Sequence, residues 1–264
     1  MSAAPDTSAA DGARARWFSS RRPRSATGLD LYCFAHAGGS AGEFLRWGPG
    51  LPGVRLWAVK LPGRAPRESE TPYSRIDELV DDLVAQVDFG QEGSAPREFA
   101  FFGHSLGALV AFETARALRR AGLRQPRHLL LSSMQPPPLR LSGRTHLLPD
   151  DELLAEVERR WGGLPQVVQD EPELRRIAVR QLRADALLAE THTYVAEDPL
   201  DIPVTTFAGD QEDPGQLDWA VHTRRGCTPH VLAGGHFYFR DPGQQDVLLG
   251  LMSRAVGRPA PTSV

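Results

Sequence analysis

The sequence predicts an α/β fold: a mostly parallel central sheet flanked by helices on both faces, with a helical segment inserted over one edge. Three observations carry that prediction. Short apolar runs of strand length alternate with stretches of helical spacing. One run, residues 99–102 (FAFF), ends in Gly103-His104-Ser105-Leu106-Gly107 and passes at once into an amphipathic helix. Between the fourth and fifth strand signals, residues 136–195 contain helical patterns and no strand.

Taken in order, residues 1–27 are rich in Ala, Ser, Asp and Arg and offer little to bury apart from Trp17 and Phe18. They read as a disordered or loosely docked arm. Residues 28–256 form the folded domain. Its strand signals are 29–35 (LDLYCFA), 54–59 (VRLWAV), 99–102, 128–131, 204–208 and a short sixth at 230–232. Residues 76–89 place Ile76, Leu79, Val80, Leu83, Val84 and Val87 at helical spacing, and helices are expected over 106–121 and 246–256. Alternation of this kind gives a parallel sheet covered on both faces. Within 136–195, helices are expected over 151–160 and 171–188, broken by Trp161-Gly162-Gly163-Leu164-Pro165. That segment exceeds what a crossover needs and reads as a lid over the carboxyl ends of the strands, where open α/β sheets bind ligands. Residues 257–264 read as a flexible tail.

Composition narrows the function classes. The chain of 264 residues is 41% hydrophobic and 24% charged, with a net charge of −3. Nucleic-acid binding is not expected, because phosphate recognition needs a clustered basic surface. No apolar stretch approaches the roughly 20 residues of a membrane span. Arg21-Arg22 is not followed by a hydrophobic region, so it does not read as an export signal. The expectation is a cytoplasmic monomer. Cys33 and Cys227 are too few for a disulfide framework or a metal site, and Cys33 reads as a core thiol.

Strand, G-x-S-x-G, helix is the context of a nucleophile elbow. The serine on such a turn has strained backbone angles, and the glycines two residues away let strand and helix approach. A hydroxyl becomes a useful nucleophile only when an oriented base takes its proton. In α/β-hydrolases the chain order is Ser, then acid, then His. Of the eight histidines, His236 in Ala233-Gly234-Gly235-His236-Phe237 has the right place in that order, after the sixth strand. The loop after the fifth strand, Gly209-Asp210-Gln211-Glu212-Asp213-Pro214, offers three carboxylates. Asp213 is the expected acid, with Asp210 and Glu212 as alternatives. The oxyanion formed on carbonyl attack needs preplaced donors, expected from the backbone amides of Leu106 and Ala37.

The set of motifs resembles a known family. His36-Ala37-Gly38-Gly39-Ser40, Leu61-Pro62-Gly63-Arg64, the Ser105 elbow followed by Ala111-Phe112-Glu113, and Gly234-Gly235-His236-Phe237 look like the type II thioesterases. These are stand-alone partners of modular polyketide and non-ribosomal peptide synthases. Leu182-Arg183-Ala184-Asp185, with Glu190-Thr191 and Tyr194, also looks like that family's lid. The resemblance covers about residues 29–255. It implies an α/β-hydrolase fold with a mobile helical lid. It implies hydrolysis of aberrant or stalled acyl groups from the phosphopantetheine arm of acyl or peptidyl carrier proteins. By position, Ser105, Asp213 and His236 inherit the triad, and Ala37 and Leu106 the oxyanion amides. The family's acid loop usually reads G-D-x-D-P, and this chain is one residue longer there. No cofactor or metal of the enzyme's own is implied, since phosphopantetheine travels on the substrate protein.

Two other readings fit the elbow: a small-molecule carboxylesterase, because fold does not fix substrate, and an inactive homologue that binds a synthase. A chain-terminating, cyclising thioesterase is disfavoured by the short polar arm with no adjoining carrier domain. Arg64, Arg67, Arg175 and Arg176 read as solvated side chains that could meet an acidic carrier protein.

Overall fold

The computed structural model of the chain describes residues 7–21, 28–92, 95–138 and 143–257. From the N-terminus the elements are α1 (Thr7–Trp17), β1 (Phe18–Arg21), β2 (Leu29–Phe34), α2 (Ala41–Leu45), β3 (Val54–Val59) and α3 (Ile76–Gln86). A small antiparallel two-stranded sheet, β4 (Gln91–Glu92) and β5 (Ala95–Pro96), precedes β6 (Glu98–His104), α4 (Leu106–Arg120) and β7 (Leu129–Ser132). Then come α5 (Asp150–Trp161), α6 (Gln166–Asp170), α7 (Pro172–Glu190), β8 (Val204–Gly209), β9 (Cys227–Leu232) and α8 (Pro242–Ala255).

The main sheet has seven strands in the order β1-β3-β2-β6-β7-β8-β9. Every neighbouring pair is parallel except β1 with β3. Strand alternation sorts the side chains to two faces. In β2, Leu29, Leu31 and Cys33 join the apolar cluster under α2 and α8, while Tyr32 and Phe34 join the one under α3 and α4. Burial pushes the Cys33 thiol well up, which fits a core role. Each fully buried Phe or Leu of these layers contributes on the order of 2 kcal/mol. The helix at 76–86 buries Ile76, Leu79, Val80 and Leu83, the stripe its spacing predicts.

Strand order fixes where a site can form. From β2 the chain runs outward to β3 on one side, and from β6 it steps through β7, β8 and β9 on the other. The reversal lies between β2 and β6, whose ends are level at Phe34 and Gly103. A crevice opens at such a switch point, outside the carboxyl ends of the strands. The loops after β2, β3, β6, β8 and β9 all emerge on that edge, because these strands are parallel.

Three expectations change. Residues 7–21, read as part of a disordered or loosely docked arm, form α1 and the antiparallel edge strand β1, paired Phe18↔Val59 through Arg21↔Leu56. The cause is the one apolar pair of the segment. Trp17 is fully buried, donates from Nε1 to Gln86 at 3.0 Å and lies under the Arg67 guanidinium. Phe18 packs edge-on against Tyr32. Residues 1–6 and 22–27 of that arm, and 258–264 of the tail, lie outside the described residues. Second, β9 starts at Cys227, three residues before the expected strand, in register with β8. Third, Arg64 and Arg67 are buried rather than solvated. Arg67 pairs with Glu70, and Arg64 with Asp185. Arg175 and Arg176 do lie on the helical surface, paired with Asp151 and Glu173.

Candidate active site

Ser105 sits between β6 and α4 with φ 54° and ψ −124°, a conformation costly for a residue with a side chain. Its surroundings require the glycines. A Cβ on Gly103 would stand 2.2 Å from the Gly107 carbonyl oxygen, and one on Gly107 would stand 2.1 Å from that of Phe34. The Ser105 amide donates to the Ser132 carbonyl at 2.8 Å, which ties the turn to β7. In the first turn of α4, the amides of Ala108 and Leu109 are taken by the Ser105 carbonyl.

The loop after β9 brings His236 to the same edge. Gly234 adopts φ +122°, and the loop is so close to β8 that a Cβ on Gly209 would meet the Gly234 carbonyl oxygen at 2.2 Å. His236 Nδ1 lies 2.7 Å from Glu212 Oε1. A carboxylate oxygen there accepts, so Nδ1 carries the proton and Nε2 is left as the basic nitrogen.

Glu212, not the expected Asp213, is therefore the carboxylate against His236. Its Oε2 also accepts from Ser133 Oγ at 2.6 Å and from the Gly209 amide at 2.9 Å. Burial raises the Glu212 pKa, but hydrogen bonds from His236, Ser133 and Gly209 outweigh it and hold the carboxyl below its usual range. Asp213 turns away: it is exposed, accepts from Gly215 N at 2.8 Å to cap the next 3₁₀ turn, and accepts from Gln135 Nε2 at 2.9 Å. Asp210 accepts from the Gly234 amide at 2.9 Å, joining the acid loop to the histidine loop without touching the imidazole. The turn that decides this runs from the Glu212 amide to the Gly209 carbonyl, so position is counted from the strand end.

His104, next to the nucleophile, is fully buried with Nδ1 2.8 Å from Ser132 Oγ, which in turn meets the Tyr238 hydroxyl. Burial first, then the nearby His236, His36 and Arg240, push its pKa well down. It is a neutral wall 4.8 Å, ring to ring, from His236. Ser133, Ser132 and Tyr238 were not legible as site residues in the sequence. Among the described residues no three His, Cys, Asp or Glu side chains converge as a metal site, and no helix is long and apolar enough to cross a membrane.

Ser105, Ala37, Leu106 and His236 line one cavity of about 480 Å³. Helices α5 and α7 roof it with Val157, Trp161, Leu182, Asp185 and Ala186. A hydroxyl on a strained turn and an imidazole at one mostly apolar cavity, with a carboxylate orienting that imidazole from behind, are the parts of an activated nucleophile.

A family model described as Thioesterase domain matches residues 30–255. Thioesterase PikA5 of Streptomyces venezuelae is 38% identical over 232 residues, covering 85% of this chain and 80% of its own. The gramicidin S biosynthesis protein GrsT of Aneurinibacillus migulanus is 30% identical over 229 residues, covering 84% of this chain and 88% of its own. Among solved structures, the type II thioesterase BorB from the borrelidin biosynthetic cluster superposes with a TM-score of 0.77 at 32% identity, over 93% of this chain and 98% of BorB. The chain belongs to the thioesterase family: it is a type II thioesterase, a serine-type hydrolase of thioesters on the α/β-hydrolase fold.

Proposed function

We propose that this enzyme clears acyl groups from the phosphopantetheine arm of carrier proteins in a polyketide or non-ribosomal peptide synthase, through an acyl-enzyme on Ser105. The observation that carries the reading is the pairing of His236 Nδ1 with Glu212 at 2.7 Å beside a roofed cavity that Ser105 also lines. That BorB comes from the borrelidin biosynthetic cluster and GrsT is a gramicidin S biosynthesis protein supports the choice of synthase-borne substrates.

The steps follow from the groups present. His236 Nε2 takes the Ser105 proton as Oγ bonds to the thioester carbonyl carbon. The oxyanion is held by the amides of Ala37 and Leu106. Glu212 fixes the tautomer and stabilises the imidazolium without taking the proton. The C–S bond then breaks and the imidazolium protonates the departing pantetheine thiolate. Water, deprotonated by the same Nε2, attacks the acyl ester; the bond from the acyl carbon to Ser105 Oγ breaks, the imidazolium returns the proton to Oγ, and the free acid leaves. Phosphopantetheine is part of the substrate, and the sequence of steps calls for no metal or nucleotide.

The test compares acyl-carrier protein, acyl-N-acetylcysteamine and a p-nitrophenyl ester of the same chain, with mass spectrometry following loss of acyl from the carrier. Fastest turnover of the carrier thioester, abolished in Ser105→Ala together with fluorophosphonate labelling, is the expected result. Faster turnover of the simple ester would instead assign a small-molecule esterase.

A further inference from the structure

One buried ion pair joins the roof of the cavity to its floor. Asp185, on α7, is 3% exposed, and Arg64, in the loop after β3, is 8% exposed. Arg64 Nη2 donates to Asp185 Oδ1 at 2.5 Å, and Arg64 Nη1 donates to the Gly39 carbonyl at 2.9 Å. The other carboxylate oxygen, Oδ2, accepts from the Gly38 amide at 2.7 Å. One turn earlier on α7, Leu182 presses on the same loop: a Cβ on Gly38 would meet its Cδ2 at 2.9 Å. Gly38 itself has φ +72°, a conformation that favours glycine.

These contacts fix successive peptide planes around Ala37. The plane between Ala37 and Gly38 is held at both ends, its oxygen by His36 Nδ1 at 2.8 Å and its N–H by Asp185. In the preceding plane the His36 carbonyl accepts from the Gly39 amide at 2.9 Å. Across a trans peptide the Ala37 N–H points opposite to that carbonyl. The amide proposed as oxyanion donor is thus aimed by groups on its neighbours, and one of them comes from α7.

We propose that Asp185, held by Arg64, is a positioning residue: it orients the Ala37 amide, so that the oxyanion site is complete only when α7 is seated over the cavity. This rests on the oxyanion role of Ala37 in the function proposed above. Buried ion pairs are weak devices for stability alone, since their desolvation offsets much of their attraction. Here the pair spans loop, helix and backbone amide at the reacting edge. Binding a substrate under α7 would then complete the group that stabilises the transition state, and an unseated α7 would leave Ser105 without a full oxyanion site.

The test uses acyl-N-acetylcysteamine, which has no carrier surface, with the wild-type enzyme, Ser105→Ala, Asp185→Asn and the double variant Arg64→Leu/Asp185→Leu. Deleting an oxyanion donor costs about 10²–10³ in kcat, so misaiming one is expected to lower kcat roughly 30-fold in Asp185→Asn while KM stays within about threefold. Affinity for an alkylboronic acid, whose tetrahedral adduct on Ser105 needs the same amides, should fall by a similar factor. The double variant leaves no buried charge unpaired, so it should fold and show the same kcat loss. If it loses stability, the boronic acid measurement on Asp185→Asn decides. A wild-type kcat in folded Asp185→Asn, a loss confined to KM, or unchanged boronic acid affinity would overturn the proposal. Turnover that survives in Ser105→Ala would sink the serine reading itself, whereas an inactive Ser105→Ala beside a fully active Asp185→Asn removes only the positioning role.

Discussion

Helices α4 and α7 both line the cavity, yet they are built on opposite principles. Thirteen of the fifteen residues of α4 are buried, including Glu113 and Arg116 as a pair. Of the nineteen residues of α7 only Val179, Leu182, Asp185 and Leu188 are buried, a single stripe at intervals of three, one member of which is a carboxylate. The apolar cluster α7 shares with α5 consists of Leu153, Leu154, Val179 and Leu182. An element like α4 cannot shift without opening the core, which is why it can sustain the strained Ser105 at its head. An element like α7 buries only three apolar side chains, so local opening there exposes far less apolar surface than global unfolding. The nucleophile stands at the head of the first kind of element, and the roof is built of the second.

The largest expected effect tests the core side of that division. Glu212→Gln keeps the shape but removes the charge that orients His236, and should lower kcat/KM for an acyl thioester by roughly 10²–10⁴. Asp213→Asn, at a side chain that accepts from Gly215 and Gln135 rather than from the imidazole, should change it by less than about threefold. Steady-state kinetics on both variants decide it, and the reverse pattern would return the acid role to Asp213.

That assignment also marks the limit of what the sequence discloses. The elbow, the histidine loop and the helical insertion were legible because each is a local pattern: glycines flanking a serine, glycines before a histidine, a long interval without strands. The acid was not, since the carboxylates at 210, 212 and 213 are locally equivalent. A local turn from Glu212 to Gly209 and the bonds from Ser133 and His236 distinguish them, and the last two come from 79 and 24 residues away in the sequence. The role of α1 and β1 was hidden similarly. A polar segment with two adjacent aromatics gives no period to read, and its placement depends on the exposed edge of β3. Arg64 looked like any surface arginine, because its partner Asp185 is 121 residues away.

A second, smaller effect separates the two regions by pH. His128, at the entrance to β7, is 9% exposed and has Nε2 2.8 Å from Thr205 Oγ1 on β8. Burial, reinforced by Arg127, lowers its pKa to about 4. Between the ordinary histidine value near 6.5 and 4, the unfolded chain binds a proton that the folded chain refuses. Stability is therefore present above that window and falls as pH drops through it, by on the order of 3 kcal/mol. Urea unfolding followed by tryptophan fluorescence from pH 7 to 4 should show the decline, and His128→Gln should reduce its slope, leaving the share of buried His104, whose pKa is also pushed down. In the roof, the side-chain hydrogen bond of Arg159 holds Glu156 at about 2, so whatever stability that pair adds is lost only from the lower end of that window downward. An undiminished slope in His128→Gln would place the acid-sensitive group elsewhere.

The smallest effect belongs to the roof itself. Trp161 ends α5, lines the cavity, is 37% exposed and lies 6.1 Å, ring to ring, from His236. The connection that follows is fastened to the histidine loop by Arg240, whose Nη1 donates to the Gly163 carbonyl at 3.1 Å. Trp161→Ala should widen the cavity without altering the backbone that aims His236. The ratio of kcat/KM for long against short acyl thioesters is then expected to shift by about 3–10-fold, the scale of one apolar pocket contact. Fluorophosphonate labelling of Ser105, which reads the core groups, should stay within about twofold. Equal losses in labelling and acyl preference would mean that this end of the roof shapes the reactive geometry, as Asp185 is proposed to do from α7. Unequal ones would divide the roof into an end that sets fit and an end that sets the oxyanion site.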